Sequence, residues 1–203
     1  MHELLKIMLA EFREKLSDTA STIPRHFIFP QLENKINVAI GMRRVGKTTC
    51  LFQTIRALLE KDQYDISQIL YLNLEDDRLL PCSATQLRTL IENFYSLYPN
   101  NHERTCYIFL DEIQNVDDWP VLIRRILDTK KVKIYLSGSS AKLLSKEIHT
   151  ALRGRALASE IWPYSFHEYI TAREVTFSGD LLGAKNSDLL SFYLQQYLHE
   201  GGF

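Results

Sequence analysis

Glycine is scarce in this 203-residue chain: there are eight, where average usage of about 7% would give roughly fourteen. Each one is therefore expected where a side chain or a negative φ would not fit. Cysteine is equally sparse. Cys50, Cys82 and Cys106 are odd in number, widely spaced and without a Cys-x-x-Cys pair, which argues against a zinc site and a secreted disulfide framework and points to the reducing cytoplasm. No apolar run approaches the ~20 residues needed to cross a bilayer. The first helical stretch, Met1 to Leu16, carries Glu3, Lys6, Glu11, Arg13, Glu14 and Lys15, so it is no signal-peptide core and no membrane partner is expected. Charge of one sign is missing too. With 24 basic against 25 acidic residues, charge alone makes no case for nucleic acid as a partner.

What is present suits a packed globular fold, with 45% hydrophobic and 11% aromatic residues. Leu5, Met8, Leu9, Phe12 and Leu16 recur at helical spacing, which predicts an amphipathic helix, and Ser17 to Pro24 reads as a linker. From Lys35 onward, short apolar runs alternate with longer helical ones. Strands are predicted at Ile36 to Ile40, Ile69 to Leu74, Cys106 to Leu110 and Val132 to Leu136, with a weaker fifth at Ala156 to Ile161. Helices are predicted at Lys47 to Glu60, Ala84 to Tyr98, Trp119 to Asp128 and Ala141 to Leu152. That alternation implies an α/β fold with a parallel five-stranded sheet sandwiched by helices, whose ligands bind at the carboxyl ends of the strands. Beyond Pro163, aromatic-rich helical segments follow. The chain thus divides into an N-terminal helix and linker over 1–24, a core over 25–163 and a helical segment over 164–203.

The first strand runs into Gly41-Met42-Arg43-Arg44-Val45-Gly46-Lys47-Thr48, which matches G-x-x-x-x-G-K-[ST] between a strand and a helix. Such a loop, with Thr49 completing its helix start, wraps an anion in backbone N–H groups that the positive end of the helix reinforces. Lys47 would reach the β- and γ-phosphates, and the Thr48 hydroxyl would ligate Mg²⁺. The loop's Arg43 and Arg44 would touch phosphate or pair with nearby acids. The apolar run Tyr107 to Leu110 ends in Asp111-Glu112. In the phosphate-loop plan Asp111 is the second Mg²⁺ residue, and Glu112 is the general base that polarises the attacking water. Asn73, ending the second strand, would hold Glu112 away from water or satisfy backbone. The fourth strand ends in Ser137-Gly138-Ser139-Ser140, where Ser137 or Ser139 would sense the γ-phosphate and Ser139 or Ser140 would cap the next helix. Arg153 and Arg155, flanking Gly154, are either an arginine finger or cations at a helix end.

In this order, four segments resemble one family: Gly41 to Thr49, Leu110 to Val116 with Asp118-Trp119, Leu136 to Ser140 with Lys142-Leu-Leu, and Leu152 to Arg155 followed by Trp162 to Tyr169. It is the AAA-type ATPases of prokaryotes, of the archaeal ATPase group, and the resemblance covers Arg25 to Phe203. It implies a P-loop NTPase core of the AAA type and ATP with Mg²⁺ rather than GTP. It also implies a water-directed Glu112, a sensor near Ser137, and Arg153 or Arg155 acting in cis or on a neighbouring copy through self-association. Family members usually continue past the stretch equivalent to Tyr197 to Phe203 into a C-terminal domain, so a truncated chain lacking its effector domain is expected. The leading expectation is an ATPase that switches or drives that effector. The alternatives are a slow regulatory ATP/ADP sensor, a nucleic-acid-coupled ATPase and a small-molecule kinase.

Overall fold

The computed structural model describes residues 1–18, 23–60, 64–139, 152, 154–177 and 183–202. The elements are α1 (His2–Asp18), β1 (Ile36–Gly41), α2 (Lys47–Leu59), β2 (Ile69–Asn73), β3 (Cys82–Ser83), α3 (Ala84–Leu97), β4 (Cys106–Asp111), β5 (Val116–Asp117), α4 (Trp119–Thr129), β6 (Val132–Ser139), β7 (Ala156–Glu160), α5 (Phe166–Ala172) and α6 (Ala184–Glu200). Five strands form one sheet in the order β2-β4-β6-β1-β7, and every pairing in it is parallel. The five expected strands are these five. The pair β3 and β5, two residues each, is too short for any periodicity to announce it. The helix expected over 141–152 lies outside the described residues, apart from Leu152.

Alternation along the strands divides the core in two. Even-numbered residues Ile36, Val38 and Ile40 of β1, Leu70 and Leu72 of β2, Ile108 and Leu110 of β4, and Ile134 and Leu136 of β6 face α3 and α4 in an aliphatic layer. The odd-numbered Tyr71, Tyr107, Phe109 and Tyr135 face α2, with Phe109 and Tyr135 stacked at 4.6 Å between centroids. Helix α1 serves both layers. Leu5, Met8 and Leu9 enter the aliphatic one and Phe12 the aromatic one, where Phe12 stacks on Tyr71 at 5.4 Å. Among the described residues no helix is long and apolar enough to cross a membrane.

Strand β6 runs three residues past its expected end. Ser137, Gly138 and Ser139 pair with Ala39, Ile40 and Gly41, because residues this small fit between central strands where a bulkier polar group would not. Ser137 is therefore inside the sheet and fully buried.

Past β7 the chain turns through Trp162-Pro163 into α5, which opens with a capping box of Ser165 and Glu168. Glu168 is also the acid of a buried ion pair with Arg25, at 2.9 Å. Burial opposes its ionisation, but the Ser165 and His26 N–H groups and the Arg25 guanidinium outweigh that and hold the carboxyl at about 2. An unfolded glutamate titrates near 4.3, so the stabilisation is complete above about pH 5 and is lost as the pH falls through about 2. The stability difference between wild type and Glu168→Gln should shrink by about 3 kcal/mol over that window. Denaturant unfolding at stepped pH measures it, and a pH-independent difference would contradict the assignment.

Candidate nucleotide site

The loop expected to hold phosphate sits where β1 ends and α2 begins. Gly41 ends β1 under the backbone of the segment after β7: a Cβ there would lie 2.5 Å from the Ile161 carbonyl oxygen. Gly46 caps α2 at φ 94° with no side-chain cap, and the first bond into the helix is Cys50 N–H to Gly46 O at 3.0 Å. Helix geometry thus leaves the N–H groups of residues 46–49 without intrahelical acceptors, which is the donor set an anion requires. Met42, Arg43 and Arg44 are exposed along the crest, while Val45 is buried. Arg44 adopts φ 63°, a left-handed conformation that costs a side-chain-bearing residue about 1–2 kcal/mol. Neither arginine pairs with an acid among the described residues.

Lys47 is buried, at 6% exposure, and its ammonium bends back over the loop. It donates to the carbonyls of Met42 at 3.0 Å and Gly41 at 3.3 Å, and lies 3.5 Å from Glu112 Oε1. The loop lysine and the acid from the end of β4 are thus neighbours in space.

Asp111 is 3% exposed, and a carboxylate so deep needs donors. It has three hydroxyls. Thr48 Oγ1 donates to Oδ2 at 2.7 Å, Tyr71 donates to the same oxygen at 3.0 Å, and Ser137 donates to Oδ1. Parity explains the convergence, since Tyr71, Asp111 and Ser137 are odd-numbered residues of three adjacent strands and all face α2. Burial and the adjacent Asp111 charge push the Tyr71 phenol far above its ordinary value, so it remains a donor. The Thr48 hydroxyl and the Asp111 carboxylate, two hard oxygens side by side at the loop, fit Mg²⁺.

Glu112 follows at φ 56°, which turns its side chain out of the sheet. Its Oε2 accepts from Gln114 Nε2 at 2.5 Å, and its N–H donates to Ser137 Oγ at 3.0 Å. Ser137 is thus a brace for Asp111 and Glu112, with its buried hydroxyl bonded to both. Asn73 does not reach Glu112 among the described contacts. Its Oδ1 accepts from Glu75 N–H in a local turn at 3.1 Å, and Gln114 holds the glutamate instead. Sequence reading passed over Tyr71 and Gln114. Tyr71 was legible only as a hydroxyl-bearing residue in an apolar run, and Gln114 only through its place two residues after the glutamate.

Arg155 lies far from the loop of its own chain. Its carbonyl accepts from Ile36 N–H, at the start of β1, and its guanidinium pairs with Asp128 near the end of α4. The six residues of β1 separate it from Gly41 by roughly 17 Å at the usual rise per strand residue. The geometry leaves Arg155 no part in its own loop's chemistry. Arg153 lies outside the described residues, and so do Ser140 and Lys142.

A family model described as AAA domain matches residues 33–170. The uncharacterized protein MJ1544 of Methanocaldococcus jannaschii is 36% identical over 189 residues, which are 93% of this chain and 40% of that protein. An uncharacterized protein of Haemophilus influenzae is 32% identical over 169 residues, 83% of this chain and 39% of that protein. The chain therefore spans about two fifths of the length of these relatives. A structure of C. elegans PCH-2 aligns with 90% of this chain and 50% of its own at a TM-score of 0.48 and 16% identity.

Tyr71→Phe keeps the ring packing and removes one donor from Asp111. It should lower the unfolding free energy by about 1–2 kcal/mol and raise severalfold the Mg²⁺ concentration at half-maximal nucleotide binding. Unfolding curves and a Mg²⁺ titration with a fluorescent nucleotide check both, and no change in either would remove Tyr71 from the site.

Proposed function

The chain belongs to the AAA domain family, and from that premise we propose that it binds ATP with Mg²⁺ and hydrolyses it to drive the remainder of a longer protein. One observation carries the proposal. Thr48 Oγ1 stands 2.7 Å from the Asp111 carboxylate while Lys47 stands 3.5 Å from Glu112, so two motifs more than sixty residues apart share one site as phosphoryl transfer to water requires.

In this reading the N–H groups of residues 46–49 hold the phosphates, and Lys47 leaves its loop carbonyls to pair with the β- and γ-phosphate oxygens. Thr48 and Asp111 would hold the Mg²⁺, which neutralises charge on the phosphates when bound. Glu112 accepts a proton from water as the water oxygen bonds to the γ-phosphorus and the bond to the β–γ bridging oxygen breaks. The products are ADP and inorganic phosphate. Any arginine contribution from Arg155 requires a second copy of the chain. Residues 25–163 would form the ATPase core, and residues 164–203 would begin the region that receives its output.

A slow regulatory ATP/ADP sensor is the second reading, and the hold on Glu112 favours it. With one oxygen on Gln114 and the other facing Lys47, the carboxylate is not free to take a proton until nucleotide draws Lys47 away. Both readings share the same binding site and differ in rate.

Phosphate release and nucleotide binding on the wild type and two variants test the proposal. Glu112→Gln should bind ATP as the wild type does and lose at least about 100-fold in turnover, the usual weight of a general base. Lys47→Ala should bind ATP at least about tenfold more weakly. Undiminished turnover in Glu112→Gln would remove Glu112 as the base, and turnover that no partner or second copy raises would favour the sensor.

A further inference from the structure

Arg25 precedes β1, outside every motif that marks the site, yet its side chain is buried at 6% exposure and spans three segments. Nη1 donates to the Val45 carbonyl at 2.6 Å, inside the phosphate loop. Nη2 donates to the Trp162 carbonyl at 2.6 Å, and Nε to Glu168 Oε1 at 2.9 Å. The guanidinium also lies 4.6 Å from the centre of the Tyr164 ring. Its backbone is tied to α2, because Gln53 accepts from Arg25 N–H and donates to Arg25 O, each at 2.8 Å.

The Val45 contact has a consequence for phosphate binding. A trans peptide is planar, with its C=O and N–H pointing in opposite directions. Holding the Val45 carbonyl on Arg25 therefore turns the Gly46 N–H away from Arg25, toward the loop's concave side. The fit leaves no slack: a Cβ on Gly46 would come within 2.6 Å of Arg25 Nη1. Glycine at 46 is required by this close approach as well as by its φ.

The far side of the guanidinium is equally tied down. Glu168 accepts from the N–H groups of His26 and Ser165, each at 2.8 Å. Tyr164 N–H donates to Gly202 O at 2.7 Å, and the Tyr197 hydroxyl donates to Tyr164 O at 2.6 Å. An unbroken series of contacts thus runs from the phosphate loop through Arg25 to segment 162–168 and on to the end of α6.

We propose that Arg25 is a positioning residue of the phosphate loop, and that through it the loop's geometry and segment 162–168 are coupled. The inference rests on the nucleotide-site reading above. Nucleotide that prefers the loop with Val45 held outward must tighten the Arg25 bridge, and by linkage loosening the bridge must weaken nucleotide by the same factor. Arginine is specific to the task, because a lysine keeps the charge but cannot serve three acceptors with one rigid fork.

The experiment measures Mg·ADP affinity and amide hydrogen exchange across residues 162–169, with and without Mg·ADP, in wild type, Arg25→Lys and Glu168→Gln. Wild type should bind, and exchange at the Tyr164 and Tyr169 amides should slow at least threefold on binding. Arg25→Lys should bind about tenfold more weakly and lose that slowing, and Glu168→Gln should weaken it in the same direction. A purely structural Arg25 would lower ligand-free stability and leave the nucleotide-dependent change intact, which would overturn the proposal. Arg25→Lys affinity within twofold of wild type would overturn it too. Should Arg25→Lys fail to fold, wild-type exchange and Glu168→Gln decide: unchanged wild-type exchange on binding refutes the coupling. A wild type that binds no Mg·ADP refutes the nucleotide site itself.

Discussion

A carboxylate at 3% exposure must find donors, and Asp111 finds them in three different elements. Tyr71 comes from β2, Ser137 from β6 and Thr48 from the first turn of α2. Each hydroxyl satisfies the acid and is fixed by it, so the two strands beside β4 and the helix after the phosphate loop share one reference point. The aromatic layer supports this arrangement from beneath, because Phe12 of α1 and Phe52 of α2 both pack on the Tyr71 ring. The N-terminal helix thereby bears on the site through the Tyr71 ring.

Arg25 and Glu168 form a second buried charge centre on the other side of the loop. A buried ion pair contributes little net stability against an apolar alternative, since desolvation offsets most of the attraction. What such a pair does supply is geometry, here the direction of one loop carbonyl and the seat of the chain after β7. The glycines fall in line with this. Gly41 lies under the Ile161 carbonyl, Gly46 against Arg25, and Gly202 against Tyr164, whose carbonyl oxygen would be 2.4 Å from an added Cβ. In a chain with few glycines, three of the eight stand where two backbones or a backbone and a guanidinium come too close for any side chain.

Much of the fold was legible because its signals are local. The five core strands follow from short β-branched and aromatic runs, and the phosphate loop from its spacing between a strand and a helix. Asp111 and Glu112 could be assigned because an apolar run ended in them. What escaped depends on register and on distant pairing. Ser137 is seen to brace Asp111 only once β6 is known to lie beside β4, and Tyr71 joins the site only once β2 is known to lie beside β4. Arg25 and Glu168 are 143 residues apart, and neither belongs to a motif that would suggest the other. Arg155 looked like a finger from its neighbours in sequence, yet the strand it begins carries it to the opposite end of the sheet from its own loop.

The account stands on Asp111, Thr48 and the phosphate loop forming one site for a nucleotide with its metal. Calorimetric titration of the chain with ADP, in Mg²⁺ and again in EDTA, tests that most directly. One-to-one binding that weakens at least tenfold when the metal is withdrawn is the result expected. Absence of binding, or an affinity indifferent to Mg²⁺, would contradict it.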